Sequence, residues 1–149
     1  MLRPCEHLSR RQRQATPPAF SDWLIRQVME RTGAAGIAAL WCARDSTYYR
    51  HFPIVEVWGR GRDARLYNGP HPIIAHPPCG QYGKYRSHCY HSRLDGRIAM
   101  ELVHEWGGVV EQPLGSELFS LYGKDGTVEK VVQSQWGHPS KKETLLYWV

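Results

Sequence analysis

LDGRIAMELVHEWGGVVEQP (Leu94–Pro113) changes its hydrophobic period part-way along, and that change decides the fold. Leu94, Ile98, Leu102 and Trp106 stand at successive i+4 positions with Ala99 and Val103 beside them. This is the stripe of an amphipathic helix, and Gly107-Gly108 is its stop. Gly108–Glu111 then reads as a short apolar run, the pattern of a buried strand. On the N-terminal side, Pro72–His76 (PIIAH) is a second such run, so the region spells strand, loop, helix, strand. A right-handed crossover of this kind lays its two strands parallel. Their carboxyl ends then open on one rim, where open α/β sheets bind ligands.

The same pattern extends outward. Ile37–Cys42 (IAALWC) and Ile54–Trp58 (IVEVW) are two more short apolar runs, which predicts a largely parallel sheet. Ahead of them a helix is expected from a cap at Ser21 or Asp22 through Arg31. Leu24 and Val28, then Ile25 and Met29, share one face, and Gly33 ends it. Pro17-Pro18 is expected to close a linker rather than open a helix. Downstream, Ser116–Leu121 suits a helical turn, Lys124-Asp125-Gly126-Thr127 a tight turn, and Val128–Gln135 with Glu143–Val149 a terminal strand pair. No internal repeat is visible. The expected architecture is a compact three-layer, Rossmann-like α/β domain with a mainly parallel sheet over residues 20–149, preceded by a basic tail over residues 1–19.

A chain of 149 residues is long enough for one well-cored domain and too short for two of ordinary size. With 42% hydrophobic and 22% charged residues it is not disordered by composition, and no apolar run is long enough for a membrane span. The net charge of +5 suits a polyanionic partner. Arg3, Arg10, Arg11 and Arg13 supply much of that excess, either as a phosphate-contacting arm or as a solvated terminus. No apolar stretch follows those arginines, so a secretory signal is not expected and a cytoplasmic setting is. The four cysteines are then free thiols, metal ligands or a nucleophile rather than a disulfide framework.

The loop HPPCGQYGKYRSHCYH (His76–His91) concentrates the chemistry. Cys79 follows two prolines, whose restricted backbone holds the thiol at the rim. Lys84, Arg86 and the histidines favour its reactive thiolate. Glu111 ends the neighbouring strand, where partial desolvation is expected to raise its pKa toward the general-acid range. A thiolate with a proton-donating carboxyl can add to C6 of cytosine while N3 is protonated. The bland readings are a buried cysteine and a glutamate in a salt bridge.

The order PPC, amphipathic helix, VVEQP, then QSQWGHPSKKETLLYWV resembles the cytosine-C5 DNA methyltransferases. It is closer still to small phage and prophage proteins of methyltransferase-like type with an HPPC loop. The resemblance covers about Ile73 to the C-terminus, roughly half the chain. It implies that Cys79 is the covalent nucleophile, Pro78 its positioning neighbour and Glu111 the acid, with S-adenosylmethionine as cofactor and DNA as partner, in the cytoplasm of a bacterial host. Gln133, Lys141 and Lys142 match loosely the later motif that supports the site and the DNA backbone. Gln112-Pro113 stands where the family has asparagine or histidine after its glutamate. The family's glycine-rich first strand has no counterpart in Ile37–Tyr49. Asp45, Glu56 and Asp63 are the carboxylates whose positions suit a ribose or amine. No stretch is long enough for a target-recognition domain, so a protein partner or an oligomer is expected to supply specificity.

Two other readings stay open. His76, Cys79, Cys89 and His91 are four ligands of zinc-binding type in one loop, although not at the spacing of a standard finger. Tyr82, Lys84, Tyr85, Arg86 and Tyr90 interleave aromatic and basic side chains as a single-strand binder does, which suits a nucleic-acid-binding module without chemistry, such as a phage accessory or anti-defence factor.

Overall fold

The computed structural model describes residues 16–59, 61–80, 82–83 and 93–149. Helix α1 spans Pro18–Thr32 and is followed by β1 (Ile37–Leu40), a 3-10 turn (Thr47–His51), β2 (Val55–Trp58) and β3 (Ile73–Ala75). Helix α2 (Leu94–Trp106), β4 (Gly108–Pro113), the short helix α3 (Leu118–Tyr122), β5 (Thr127–Val132), a 3-10 turn (Gln133–Trp136) and β6 (Glu143–Trp148) complete the chain. The six strands form one sheet in the order β2-β1-β3-β4-β6-β5. Neighbours from β2 to β4 are parallel. β6 is antiparallel to both β4 and β5, so it alone runs against the rest.

The centre of the sheet is buried on both faces because β1 and β3 are apolar at every position and fully enclosed, whereas β5 at the edge is largely exposed. Ala38 and Leu40 of β1 face one core with Ala99, Met100, Leu102 and Val103 of α2. Ile37 and Ala39 face the other with Phe20, Leu24, Ile25 and Val28 of α1. The result is the expected three-layer α/β arrangement with a mostly parallel sheet, compatible with a Rossmann-like domain. Gly108 has φ +112°, and a Cβ there would strike the Ile73 carbonyl, so only glycine lets β4 begin this close to β3. Among the described residues no helix is long and apolar enough to cross a membrane.

The first helix starts earlier than expected. Pro18 occupies its opening turn, where the missing N–H costs nothing and the fixed φ fits. Ser21 is therefore not a cap: it is buried, with Oγ 2.5 Å from Thr47 Oγ1. Asp22 bonds His51 at 2.8 Å. The last two strands pair with one another as expected, but the segment after Val132 turns into a 3-10 helix, so β5 stops short of Gln135. Trp136 packs against Phe20 and Trp23 near α1.

β1 lies between β2 and β3, so the chain moves to one side of β1 and then to the other. A reversal of this kind leaves a crevice at the carboxyl ends of the strands. The loops that follow β1, β2 and β3 all emerge there.

Candidate active site

His76 is the first residue after β3. Its backbone N–H donates to the Leu40 carbonyl (3.0 Å), which holds it beside the end of β1. Glu111 lies on β4 one residue past Val110, the partner of Ala75, so it is the neighbour of His76 across the two strands. His76 Nδ1 is 3.0 Å from Glu111 Oε2, and Nε2 is 2.9 Å from the Tyr48 hydroxyl. Tyr48 sits in the 3-10 turn after β1, is 1% exposed, and also hydrogen-bonds Ser21 of α1. From the far side of the site, Gln133 Nε2 donates to Thr144 Oγ1 (2.9 Å) and reaches Glu111 Oε1 at 3.5 Å.

Glu111 is 14% exposed. Burial pushes its carboxyl up, but the His76 hydrogen bond, the His76 charge and the Lys142 ammonium more than offset this, so the group ends below the ordinary carboxylate value. This corrects the expectation of a raised acid: desolvation acts as foreseen and loses to the partners that the fold supplies. Lys142, expected on a phosphate, is half-buried and faces Glu111. Burial lowers its pKa, and the carboxylate partly restores it. Its backbone stands at φ +34°. Lys141 is exposed and bonds Glu143 at 3.3 Å.

The Cys79 thiol is on an exposed residue, as a nucleophile requires. Its carbonyl accepts the N–H groups of Tyr82 and Gly83, both at 2.7 Å, which closes a tight turn. Gln112 ties that turn to the glutamate strand. Its side chain is buried and donates through Nε2 to the Pro77 carbonyl (2.9 Å), while Ser116 Oγ donates to its Oε1 (2.8 Å). Sequence reasoning gave Gln112 no role. The signal for one was a large amide among the apolar residues of a strand end, which must find partners when buried.

The chain matches no family model and no curated protein.

Tyr82, expected among the stacking aromatics, is instead core. It is 1% exposed, its hydroxyl donates to the Arg93 carbonyl (2.6 Å), and its ring lies edge-on to Tyr122. A ring enclosed in this way presents no face to a base. Lys84, Tyr85, Arg86, Cys89, Tyr90 and His91 lie outside the described residues. For zinc, the described residues contain no group of three or more candidate ligands, and two of the four expected ligands fall outside that set. Both ring nitrogens of His76 are hydrogen-bonded, so ligation by His76 requires one of those bonds to break.

A cavity of about 390 Å³ opens beside this constellation, lined by Trp41, Cys42, Ala43, Arg44, Gly59 and Pro78. These residues follow β1, β2 and β3, so the cavity occupies the crevice at the strand reversal. Trp41 has φ +57°, a conformation that bulky side chains avoid and that clusters at functional sites. Burial pushes the Cys42 thiol up to about 12, against a smaller pull from Ser46, so it is not a second nucleophile. The three expected cofactor carboxylates do not converge on the cavity. Glu56 bonds Arg62 at 2.7 Å. Asp63 caps a 3-10 turn and holds Arg65. Asp45 is exposed in the loop that continues from Arg44.

Proposed function

We propose that this chain is a divergent cytosine-C5 DNA methyltransferase-like protein in which Cys79 attacks the base and Glu111 handles the proton at N3. The observation that carries the reading is the buried Gln112 bond to the Pro77 carbonyl, which fixes the Pro-Pro-Cys turn against the strand bearing Glu111. A thiolate and a carboxyl on adjacent strand ends are the two groups that the addition needs. The target base would leave its stack to reach them.

The thiolate of Cys79 forms a bond to C6, and the displaced ring electrons are neutralised by a proton at N3; Glu111, ionised at rest, takes that proton from solvent and passes it to N3, which leaves C5 nucleophilic. S-adenosylmethionine, when bound, supplies the electrophilic methyl group. Loss of the C5 proton to a base then re-forms the C5–C6 double bond and expels the thiolate, while N3 returns its proton to Glu111. The cavity of about 390 Å³ suits a nucleoside-sized ligand in volume and in place. Arg44 is the residue positioned to meet its polar groups, and the Trp41 side chain and Pro78 its apolar ones. Glu56 and Asp63, committed to arginines, are not part of that fit.

The test pairs chemistry with binding. Purified protein is incubated with unmethylated duplex DNA and S-adenosylmethionine, the DNA is digested and 5-methylcytosine is measured by mass spectrometry, while DNA binding is followed by anisotropy. The expected outcome is methylation abolished by Cys79→Ser with binding retained. Binding without methylation in the unaltered protein would favour the non-catalytic module, a reading supported by the carboxylates that miss the cavity. Absence of both would remove DNA as the partner.

A further inference from the structure

We propose that His76 is a positioning residue for Glu111, pinning Oε2 so that Oε1 is the oxygen presented to a bound base, with Tyr48 fixing the ring that does the pinning. This rests on the proposed function for the identity of the base, but not for the geometry.

An ionised carboxylate only accepts hydrogen bonds, so the 3.0 Å contact to Oε2 requires a proton on His76 Nδ1 whether the ring is neutral or charged. The neutral ring then has a bare Nε2, and the Tyr48 hydroxyl at 2.9 Å is its donor. Burial holds Tyr48 well above the ordinary phenol range, so its proton stays in place to be donated to the neutral ring. Tyr48 is itself held by Ser21 of α1, whose Oγ is also 2.5 Å from Thr47 Oγ1. Two walls therefore set one tautomer: an acceptor-only carboxylate on one side and a hydroxyl on the other.

The two oxygens of Glu111 are not equivalent. Oε2 has a short bond to a ring clamped at both nitrogens. Among the described residues Oε1 has a single hydrogen bond, from Gln133 at 3.5 Å, the outer limit of such a bond. The titratable or charged groups that act on Glu111 are His76 after β3, Tyr48 after β1 and Lys142 before β6, and Cys42 acts on Tyr48 from behind. Among the described residues His76 makes the short bond to the carboxylate. A proton moving between Glu111 and N3 would travel through the weakly held Oε1, while the strongly held Oε2 keeps the carboxyl plane from turning.

The tautomer is read directly in histidine-¹⁵N-labelled protein from two-bond ¹H–¹⁵N correlations, with His76→Gln identifying the signals. The neutral ring of His76 should carry its proton on Nδ1, and in Tyr48→Phe that preference should weaken. With ¹³C-labelled glutamate, and Glu111→Gln to assign the resonance, the Glu111 midpoint should rise by about 1–3 pH units in His76→Leu, where burial acts without its partner. It should rise less in His76→Gln, whose amide can still donate. An Nε2–H tautomer in the unaltered protein, or a Glu111 midpoint unmoved in His76→Leu, would overturn the proposal. Should the leucine chain not fold, the tautomer in the unaltered protein decides alone. None of these readouts uses DNA: the expected signals together with no methylation would refute the methyltransferase reading and leave the His76–Glu111 clamp standing.

Discussion

Gly96→Ala sets helix propensity against packing at a point that controls the Cys79 turn. Gly96 lies in the first turn and a half of α2 and is buried. An alanine Cβ there would stand 2.5 Å from Tyr82 Cε2, 3.1 Å from Cδ2 and 3.0 Å from Leu118 Cδ1. Ordinary carbon contacts are about 3.5–4.0 Å, so the Tyr82 ring must retreat by about 1 Å. It is not free to do so: its hydroxyl donates to the Arg93 carbonyl at 2.6 Å, its N–H to the Cys79 carbonyl at 2.7 Å, and its carbonyl accepts the Glu117 N–H at 2.9 Å. Replacing a helix-interior glycine by alanine gains about 1 kcal/mol of propensity. Overpacking a tight site costs about 1–3 kcal/mol. The net expectation is a loss of about 1 kcal/mol, which lowers Tm by about 2–4 °C for a chain of this size. Urea denaturation measures the first term. The rate of Cys79 alkylation, mapped by peptide mass spectrometry, reports the displaced turn and should change. In a Tyr82→Leu background the clash is relieved and the same alanine should stabilise. An alanine variant about 1 kcal/mol more stable than the parent, with Cys79 alkylation unchanged, would mean that the Tyr82 ring is not the constraint described above.

Three further outcomes are expected. Glu111 is held below the ordinary carboxyl value, so folding favours its ionised form; that stabilisation is complete above the ordinary value of 4.5 and is lost as pH falls through the lower folded-state value. Glu111→Gln should therefore flatten the decline of unfolding free energy between about pH 5 and pH 3, and an identical decline in both chains would contradict the assignment. Gln112→Leu strips the Pro77 carbonyl and the Ser116 hydroxyl of a buried partner, at a cost of about 2–3 kcal/mol in denaturant titrations, together with a faster exchange of the loop amides near Cys79. Ala43→Trp fills the crevice beside Pro78; calorimetry should show S-adenosylmethionine affinity down by about tenfold or more, or about 1.4 kcal/mol. Because Ala43 is exposed, stability should move by no more than about 0.5 kcal/mol.

The strand cores and α2 were legible because a buried parallel strand leaves an unbroken apolar run and a packed helix leaves an i+4 stripe. The direction of β6 was not, since an apolar run in a sheet reads the same in either direction and only its partners decide. Proline at the start of α1 was misjudged because the same residue ends linkers and suits the first helical turn. Cys79 and Glu111 stood out by their places at strand ends. Of their surroundings, the meeting of Glu111 with the loop that His76 opens followed from the parallel crossover, which puts both strand ends on one rim, and His76 bonds the glutamate there; Tyr48, 28 residues from His76, was not announced by anything local in the chain. At Tyr82, the one described residue of the tyrosine-basic alternation, the pattern misled for a related reason. Tyr82 meets the composition of a stacking surface equally well as an anchor, and only the α2 glycine opposite it, which leaves room for its ring, marks it as core.

The hydrogen bonds at this rim run from Ser21 through Tyr48, His76, Glu111 and Gln133 to Thr144, joining α1, the turn after β1, the ends of β3 and β4, the turn after β5, and β6. A buried polar chain of this kind is a poor source of stability compared with apolar packing, and it is costly wherever a member lacks a partner. The chain is well satisfied on the Tyr48 and His76 side. On the other side Gln133 Oε1 is buried without a hydrogen-bond partner among the described residues, and the amide's contact to Glu111 is long. An unpaired buried acceptor costs about 1–3 kcal/mol, so stability alone gives no reason to keep the amide where an apolar side chain would fit. The asymmetry has a natural account if Glu111 must be rigid on one oxygen and loosely held on the other. A carboxylate bonded strongly at both oxygens would be a structural ion pair with no capacity to exchange a proton. One bonded at neither would be driven neutral by its own burial. The arrangement found lies between these limits: the partners keep the group ionised at rest, and the working oxygen can exchange its contact to Gln133 for one to a ligand.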